Sequence, residues 1–473
     1  MTGTAQGKSP LASGGLRVVL VGAASFAVGA AAVATSDRPL LALTLLGTLA
    51  LGAAAWLAVT RFELLTLLMI AGRTAIDLAH GGPGDETLRL SVLITGAYTV
   101  VSIAWLIVRW SQHPLRFSPI SKAVAVLTAT AITSGFLSED RVEALTGASR
   151  WIFLTIFVVV LDNLVKDERA VRRLLLAVCA STIVPLAVGL WQFVADRGRL
   201  SDGISRVQGS FAHPNTYGFY LAVIGIALLA VIKSLPTLHR VASRVLLLLV
   251  TVSLIVTYSR TSYVAFAAGV LVLGIAGRRW LLLAVTLIAI AAAPLVPAIG
   301  ERLADIGEGP TLRGTPGNSL TWRLDYWKDV IEVGEGRRVT GVGLGVVSDL
   351  TEQGREPHSD FVRSFVELGA LGLAAYVGFL FVIGVQARGA LRRTRTKTGP
   401  STLPRGLAEA LAGIYVAYLV ESLTGNPMTQ LILLWYVLAL AVAAVQLGRN
   451  AASDTTEAPV DAHVLRVAEP ISG

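Results

Sequence analysis

The chain has 473 residues, 54% of them hydrophobic and only 15% charged, with a mean hydropathy of +0.67. A soluble domain carries about 25% charge, so this composition excludes a water-facing globular protein. The net charge of +9 sits in short basic loops between apolar runs, which points to a membrane rather than to nucleic acid as the partner.

Apolar runs of roughly 17 to 25 residues, the length that crosses a ~30 Å hydrocarbon core, recur along the chain. They predict an all-α, polytopic transmembrane bundle of about fourteen helices. The spans lie near 16–34, 40–59, 62–80, 88–108, 120–137, 146–165, 171–194, 215–234, 242–258, 261–276, 280–298, 359–386, 406–424 and 428–447. The first run follows Lys8 and Arg17 and ends Ala-Val-Ala-Thr at 32–35, which also resembles a signal peptide with its cleavage site. It is read as a retained helix; cleavage leaves the remaining topology unchanged.

Orientation follows from the loops. Arg109, Arg116 and Lys122 lie in one, and Lys166, Arg169, Arg172 and Arg173 in the next. Lys233, Arg240 and Arg244 follow, then Arg278 and Arg279, then Arg388, Arg392, Arg393, Arg395, Lys397 and Arg405. All fall on one side, which the positive-inside rule makes cytoplasmic, with both termini there. The organisation expected is N-terminal membrane helices over 1–194, a core over 195–386, C-terminal membrane helices over 387–447, and a disordered cytoplasmic tail over 448–473.

Four outward segments stand out: 195–214, the turn Tyr258-Ser259-Arg260-Thr261, the long loop 299–358, and a Gly-Asn-Pro turn at 424–428. Three of them are rich in Arg against the topological bias, and an anionic ligand is the simplest reason. In the long loop, Leu320, Leu324, Trp327 and Ile331 recur at helical spacing. They predict a short amphipathic helix on the membrane surface, with Trp322 and Trp327 at headgroup level, or packed on the bundle top. Gly341, Gly343 and Gly345 then read as a flexible stretch; with no preceding strand or P-loop lysine they are no nucleotide fingerprint.

Candidate chemistry is sparse. The histidines on the outward side are His80, His213 and His358. His358 follows Pro357 where the long loop enters a membrane helix, a rigid mount for a neutral imidazole acting as general base. Arg206 and Arg260 come from distant segments yet share the outward boundary. A guanidinium there grips phosphate bidentately and keeps its charge, although snorkelling to headgroups is the bland alternative. Arg73 with Asp77, and Arg363 with Glu367, have the spacing of intrahelical pairs; Glu367 could also orient the site. Lone Cys179 excludes internal disulfides and a Cys-based metal site. No Asp-x-Asp occurs and the outward loops offer no clustered carboxylates for Mg²⁺ or Mn²⁺, so no metal or other cofactor is expected. No Gly-x-Ser-x-Gly elbow suggests a serine hydrolase.

Three signatures in order resemble the O-antigen ligase/polymerase superfamily of the Wzy_C type. They are Arg206-Val-Gln-Gly209-Ser-Phe211-Ala-His213-Pro214-Asn215, then Thr257-Tyr-Ser259-Arg260, then Arg323-x-x-x-Trp327 with Gly341-Val-Gly343, His358 and Glu367-Leu-Gly369-Ala-Leu-Gly372. The resemblance covers residues 200–385 best. Ser359 departs from the Asn often found there, and the helix count exceeds that of the family's core. The resemblance implies a metal-independent, GT-C-like membrane glycosyltransferase of cell-surface polysaccharide biosynthesis. It would move a glycan from undecaprenyl or related polyprenyl pyrophosphate to an acceptor sugar hydroxyl on a glycan, glycolipid or glycoprotein, at the outer face of the cell membrane. By that resemblance His358 activates the acceptor and Arg206 and Arg260 hold the pyrophosphate. Arg323, His213, Asn215 and Glu367 complete the substrate site. Ligase and polymerase share this chemistry and stay open. A transporter or flippase of lipid-linked oligosaccharides is the alternative; it would predict an internal repeat between the two halves, and none is visible.

Overall fold

The computed structural model describes residues 52–76, 90–201, 204–292, 320–395 and 402–456. The expected span 16–34, most of 40–59, Asp77, His80, the first part of the long loop and the end of the tail lie outside the described residues. So does the Trp322 side chain. Packing divides the chain into two units, Met1–Met69 and Ile70–Gly473. In the first, the Thr60 and Thr66 hydroxyls donate back to the carbonyls of Trp56 and Phe62 at 2.7 and 3.1 Å. The helix α1 (Phe62–Ile76) runs across the division.

The second unit is an all-α bundle. Its helices are α2 (Leu90–Gln112), α3 (Pro119–Leu137), α4 (Arg141–Leu164), α5 (Glu168–Ala180), α6 (Ile183–Val194), α7 (Pro214–Val231), α8 (Thr237–Val256), α9 (Arg260–Ala276) and α10 (Trp280–Ala292). After the long loop come α11 (Leu320–Val333), α12 (Val347–Leu350), α13 (Asp360–Arg393), α14 (Leu403–Thr424) and α15 (Leu431–Thr456). Among the described residues, nine helical stretches are long and apolar enough to cross a membrane, and α9 and α10 are shorter apolar helices. The chain is therefore a multi-pass membrane protein. α15 reaches Thr456, into the segment expected to be tail.

Local chemistry explains the breaks. α5 and α6 together fill the expected span 171–194, interrupted at Ser181 and Thr182. Pro185 has no N–H to give the Ser181 carbonyl four residues back. The Thr74 hydroxyl takes that carbonyl instead, at 2.7 Å, so no buried acceptor is orphaned.

α7 and α15 form the centre. The most apolar window of α15 is 89% buried, against 11% for α8, which lies on the rim with Leu238, Leu248 and Ile255 exposed. A helix apolar on all sides belongs inside a bundle. At the end of the bundle away from the site, Arg279 and Arg405 share Glu409 at 2.7 and 2.8 Å. They also donate to the carbonyls of Leu229, Ala230, Ala276 and Leu391, near the C-terminal ends of α7, α9 and α13, where cations complement the helix dipoles.

α13 is broken. Gly369 has φ 71° and ψ −171°, outside any helical conformation. The loop over 338–343 repairs the break: Ala370 N donates to Arg338 O (2.8 Å), Val342 N to Val366 O (3.0 Å) and Gly343 N to Glu367 O (2.9 Å). The Ser134 and Ser138 hydroxyls add bonds of 2.6 Å to Glu367 O and Val342 O. Broken membrane helices persist where other protein groups satisfy the freed backbone. The glycine stretch is thus a fitted strap rather than a flexible one. Gly341 (φ 75°) and Gly343 (φ 117°) adopt conformations that L-residues rarely reach, and a Cβ on Gly341 would lie 2.2 Å from Glu367 O.

The loop helix α11 forms as expected, but its inward face differs from the Leu320–Leu324–Trp327–Ile331 stripe. Leu324 and Ile331 are 48% and 41% exposed, whereas Tyr326 and Val330 are 1% and 0% exposed. The last two pack with Val342, Val347 and Val366, so α11 sits on the upper half of α13. The Trp327 indole N–H donates to Pro357 O at 2.5 Å.

Candidate functional site

Four segments meet at one end of the second unit. The first starts with a small antiparallel hairpin, β1 (Arg199–Ser201) and β2 (Ile204–Arg206), which pairs Arg199 with Arg206. Arg206 leaves it 6% exposed. Its Nε donates to Thr257 O (3.0 Å) and an Nη donates to Asn215 Oδ1 (2.7 Å). The turn beyond is held by Gln192, whose Oε1 accepts from Gln208 N and Gly209 N at 3.0 and 2.9 Å. His213 caps α7, its Nδ1 accepting from Asn215 N at 3.1 Å, and Pro214 starts the helix.

The second segment is the turn 257–260. Tyr258 has φ 49°, and Ser259 Oγ lies 2.8 Å from Ser262 Oγ. These contacts place Arg260 at the first position of α9. The third segment is α11 with the strand of loop after it. Arg323 donates to Thr424 O at 2.8 Å, and Trp327 and Tyr326 fix the carbonyls of Pro357 and Arg355. One face of α11 therefore holds the approach to His358. The fourth segment is the turn between α14 and α15, whose Asn426 Nδ2 lies 3.3 Å from His358 Nδ1.

The electrostatics are dominated by cations. Burial, then the charge of Arg260, pushes the Arg323 guanidinium below its ordinary range, while nearby Glu421 opposes the shift. His358 is pushed down from 6.5 to about 4 by burial, then by Arg323, Arg363, His213 and Arg355. His213 falls to about 4 by burial, then by Arg206 and Arg199. A folded-state pKa below 6.5 means the fold favours neutral imidazole. Both rings are thus neutral at pH 7, and their contribution to stability declines as pH falls from about 6.5 toward about 4. The expected result of an NMR titration of histidine-labelled protein is a His358 midpoint near 4 in the ligand-free state; a midpoint at 6.5 would contradict this electrostatic picture.

Arg206, His213, Asn215, Arg260, Arg323 and His358 are thus linked by hydrogen bonds or by mutual electrostatic influence. Glu367 is placed differently. It is 0% exposed and pairs with Arg363 at 3.0 Å, and Arg363 also reaches Glu356 at 2.5 Å. Among the described residues, no group of three or more His, Cys, Asp or Glu could hold a metal ion.

Residues 245–377 match the family model Wzy_C, O-antigen ligase. The match supports the O-antigen ligase/polymerase family. It supports an O-antigen ligase-type membrane function in polysaccharide biosynthesis, and with it lipid-linked glycan substrates. No curated protein matches the chain. The matched residues include Arg260, Arg323, His358 and Glu367, while Arg206, His213 and Asn215 precede them.

Sequence reasoning assigned no role to Asn426, Glu421 or Asp360. The signal available was the Gly-Asn-Pro turn on the same side as the arginines. Nothing in one sequence says that this turn reaches His358.

Proposed function

We propose that the chain is a metal-independent membrane glycosyltransferase of the O-antigen ligase or polymerase type, acting at the outer face of the cell membrane with both termini cytoplasmic. The observation that carries this reading is the convergence of Arg206, Arg260 and Arg323, from three separate segments, with His358 at one end of the bundle. Like charges gathered at a membrane boundary favour an anion of matching geometry, and guanidinium with phosphate is the strongest such pairing.

The donor is a glycan on polyprenyl pyrophosphate. Its anomeric carbon–oxygen bond breaks and the electron pair leaves with polyprenyl pyrophosphate, whose developing charge Arg206 and Arg260 stabilise. Arg323 steadies donor or acceptor from α11. An acceptor sugar hydroxyl forms the new bond at that carbon and passes its proton to His358. Its low pKa in the free protein fits a base primed by substrate, because pyrophosphate brought in beside it favours imidazolium and raises the pKa. His213 and Asn215 set the position of Arg206. Glu367 orients this assembly from beneath, through Arg363 and the strap at the α13 break.

The test uses purified protein in nanodiscs with a synthetic polyprenyl-pyrophosphate glycan and an acceptor. Polyprenyl pyrophosphate and extended glycan are expected in equal amounts, at a rate within twofold of control after EDTA. A ladder of repeat units identifies a polymerase, and a single transfer to a distinct acceptor identifies a ligase. Activity lost to EDTA and restored by a divalent cation would overturn metal independence.

A further inference from the structure

We infer that Asn426, in the turn between α14 and α15, is a positioning residue that sets the tautomer and orientation of His358, and that buried Asp360 holds the turn in place. The inference rests on the reading of His358 as the base. For Nε2 to accept a proton, the ring proton must reside on Nδ1, and that N–H needs an acceptor. The atom facing Nδ1 is the Asn426 amide nitrogen Nδ2, 3.3 Å away, an arrangement that makes Nδ1 the acceptor unless the amide is turned. Asn426 is 4% exposed and its Oδ1 is buried with no hydrogen-bond partner. Amide orientation is interchangeable by rotation, and turning Oδ1 to the ring lets it accept the Nδ1 proton without adding charge to the site.

The turn is built to hold that amide still. Asp360, 0% exposed, accepts from Met428 N with both carboxylate oxygens at 3.2 and 3.1 Å. The Tyr376 hydroxyl donates to Asp360 at 2.8 Å and lies 2.9 Å from Ser422 Oγ on α14. Asn426 O accepts from Thr429 N and Gln430 N at 3.2 and 3.3 Å. Asp360 is two residues from His358, so one carboxylate ties the helix that carries the base to the turn that faces it. His358 itself has φ 50°, a left-handed conformation that a side chain rarely keeps unless its surroundings impose it. The charged or titratable groups whose fields act on its ring are Arg323 from α11, Arg363 from α13, His213 from the α7 cap and Arg355 from the preceding loop. Asn426 contributes from outside the matched O-antigen ligase segment, so the C-terminal helices complete the site.

The experiment is nitrogen NMR on histidine-labelled full-length protein, with His358→Ala assigning the signal, alongside transfer kinetics. Wild type is expected to carry the ring proton on Nδ1. Asn426→Ala is expected to shift the proton to Nε2 and to lower kcat about 10- to 100-fold, as loss of an orienting partner does elsewhere, with donor KM within twofold. Asn426→Asp is expected to keep the Nδ1 proton and to raise the His358 pKa by about one unit or more, retaining more activity than Asn426→Ala. An Nε2 proton in wild type, or an unchanged tautomer in Asn426→Ala, overturns the inference. If Asn426→Ala does not fold, an unchanged pKa in Asn426→Asp overturns it instead. Full activity in His358→Ala defeats the catalytic reading alone, since the tautomer response to Asn426 is measured without turnover.

Discussion

His358→Ala is expected to lower the rate of glycan transfer by about 10²- to 10⁴-fold, the range that a positioned general base supplies. Donor binding is expected to change little, because the arginines that would hold pyrophosphate come from other segments. His358 is half-buried at the entrance to α13, its backbone fixed by the Trp327 bond to Pro357 O at 2.5 Å. Removing the imidazole therefore leaves the surrounding scaffold in place. His358→Gln keeps hydrogen bonding without basicity and is expected to be as slow as Ala. The check is product formation in nanodiscs beside donor affinity and thermal stability. A variant that folds normally and transfers within threefold of wild type would remove His358 from the chemistry.

The largest effect on folding is expected at Gly369. A Cβ there would lie 2.1 Å from Val339 O and 2.2 Å from its carbonyl carbon, and the φ of 71° with ψ −171° is essentially closed to other residues. Neither atom can move without breaking the strap that satisfies the interrupted helix. Gly369→Ala is expected to cost on the order of 3 kcal/mol or more and to prevent accumulation of folded protein. Gly378, in the regular part of the same helix, is the control. A Cβ there meets nothing within 4 Å, so Gly378→Ala is expected to be neutral or to stabilise by about 0.5–1 kcal/mol. Fluorescence-detected size exclusion with a thermal ramp separates the two. Equal stability of both variants would mean that the break in α13 is dispensable.

The membrane class was legible in the sequence because crossing a bilayer demands length and apolarity together. Thirteen residues of α10 and fifteen of α1 show the limit of that reading, since runs near the described boundaries do not return a helix count. The sequence singled out the arginines because cations placed against the loop bias need a reason, and His358 because it follows Pro357 where the long loop enters a helix. The inner face of α11 was not. In a membrane protein the lipid-facing surface is as apolar as the interior, so an apolar stripe does not say which way it points. Tyr326 and Val330 turned in while Leu324 and Ile331 faced out. The glycine strap was read as flexible because glycine permits flexibility as readily as it permits close approach. Only the partner backbone at 366–371 tells the two apart. Asn426 escaped for a related reason: an asparagine in an Asn-Pro turn is ordinary turn chemistry, and its reach to His358 depends on Asp360 gripping Met428 across sixty-eight residues.

In the proposed reaction the arginines at this end of the bundle stabilise a departing pyrophosphate. The sharpest test of this role is single-turnover release of polyprenyl pyrophosphate, with protein in excess over donor and acceptor saturating, in wild type, Arg206→Gln and Arg260→Gln. Release is expected to slow about 10²-fold or more in each variant, the scale seen when one preorganised donor to a developing anion is lost. Release at the wild-type rate from either folded variant would contradict it.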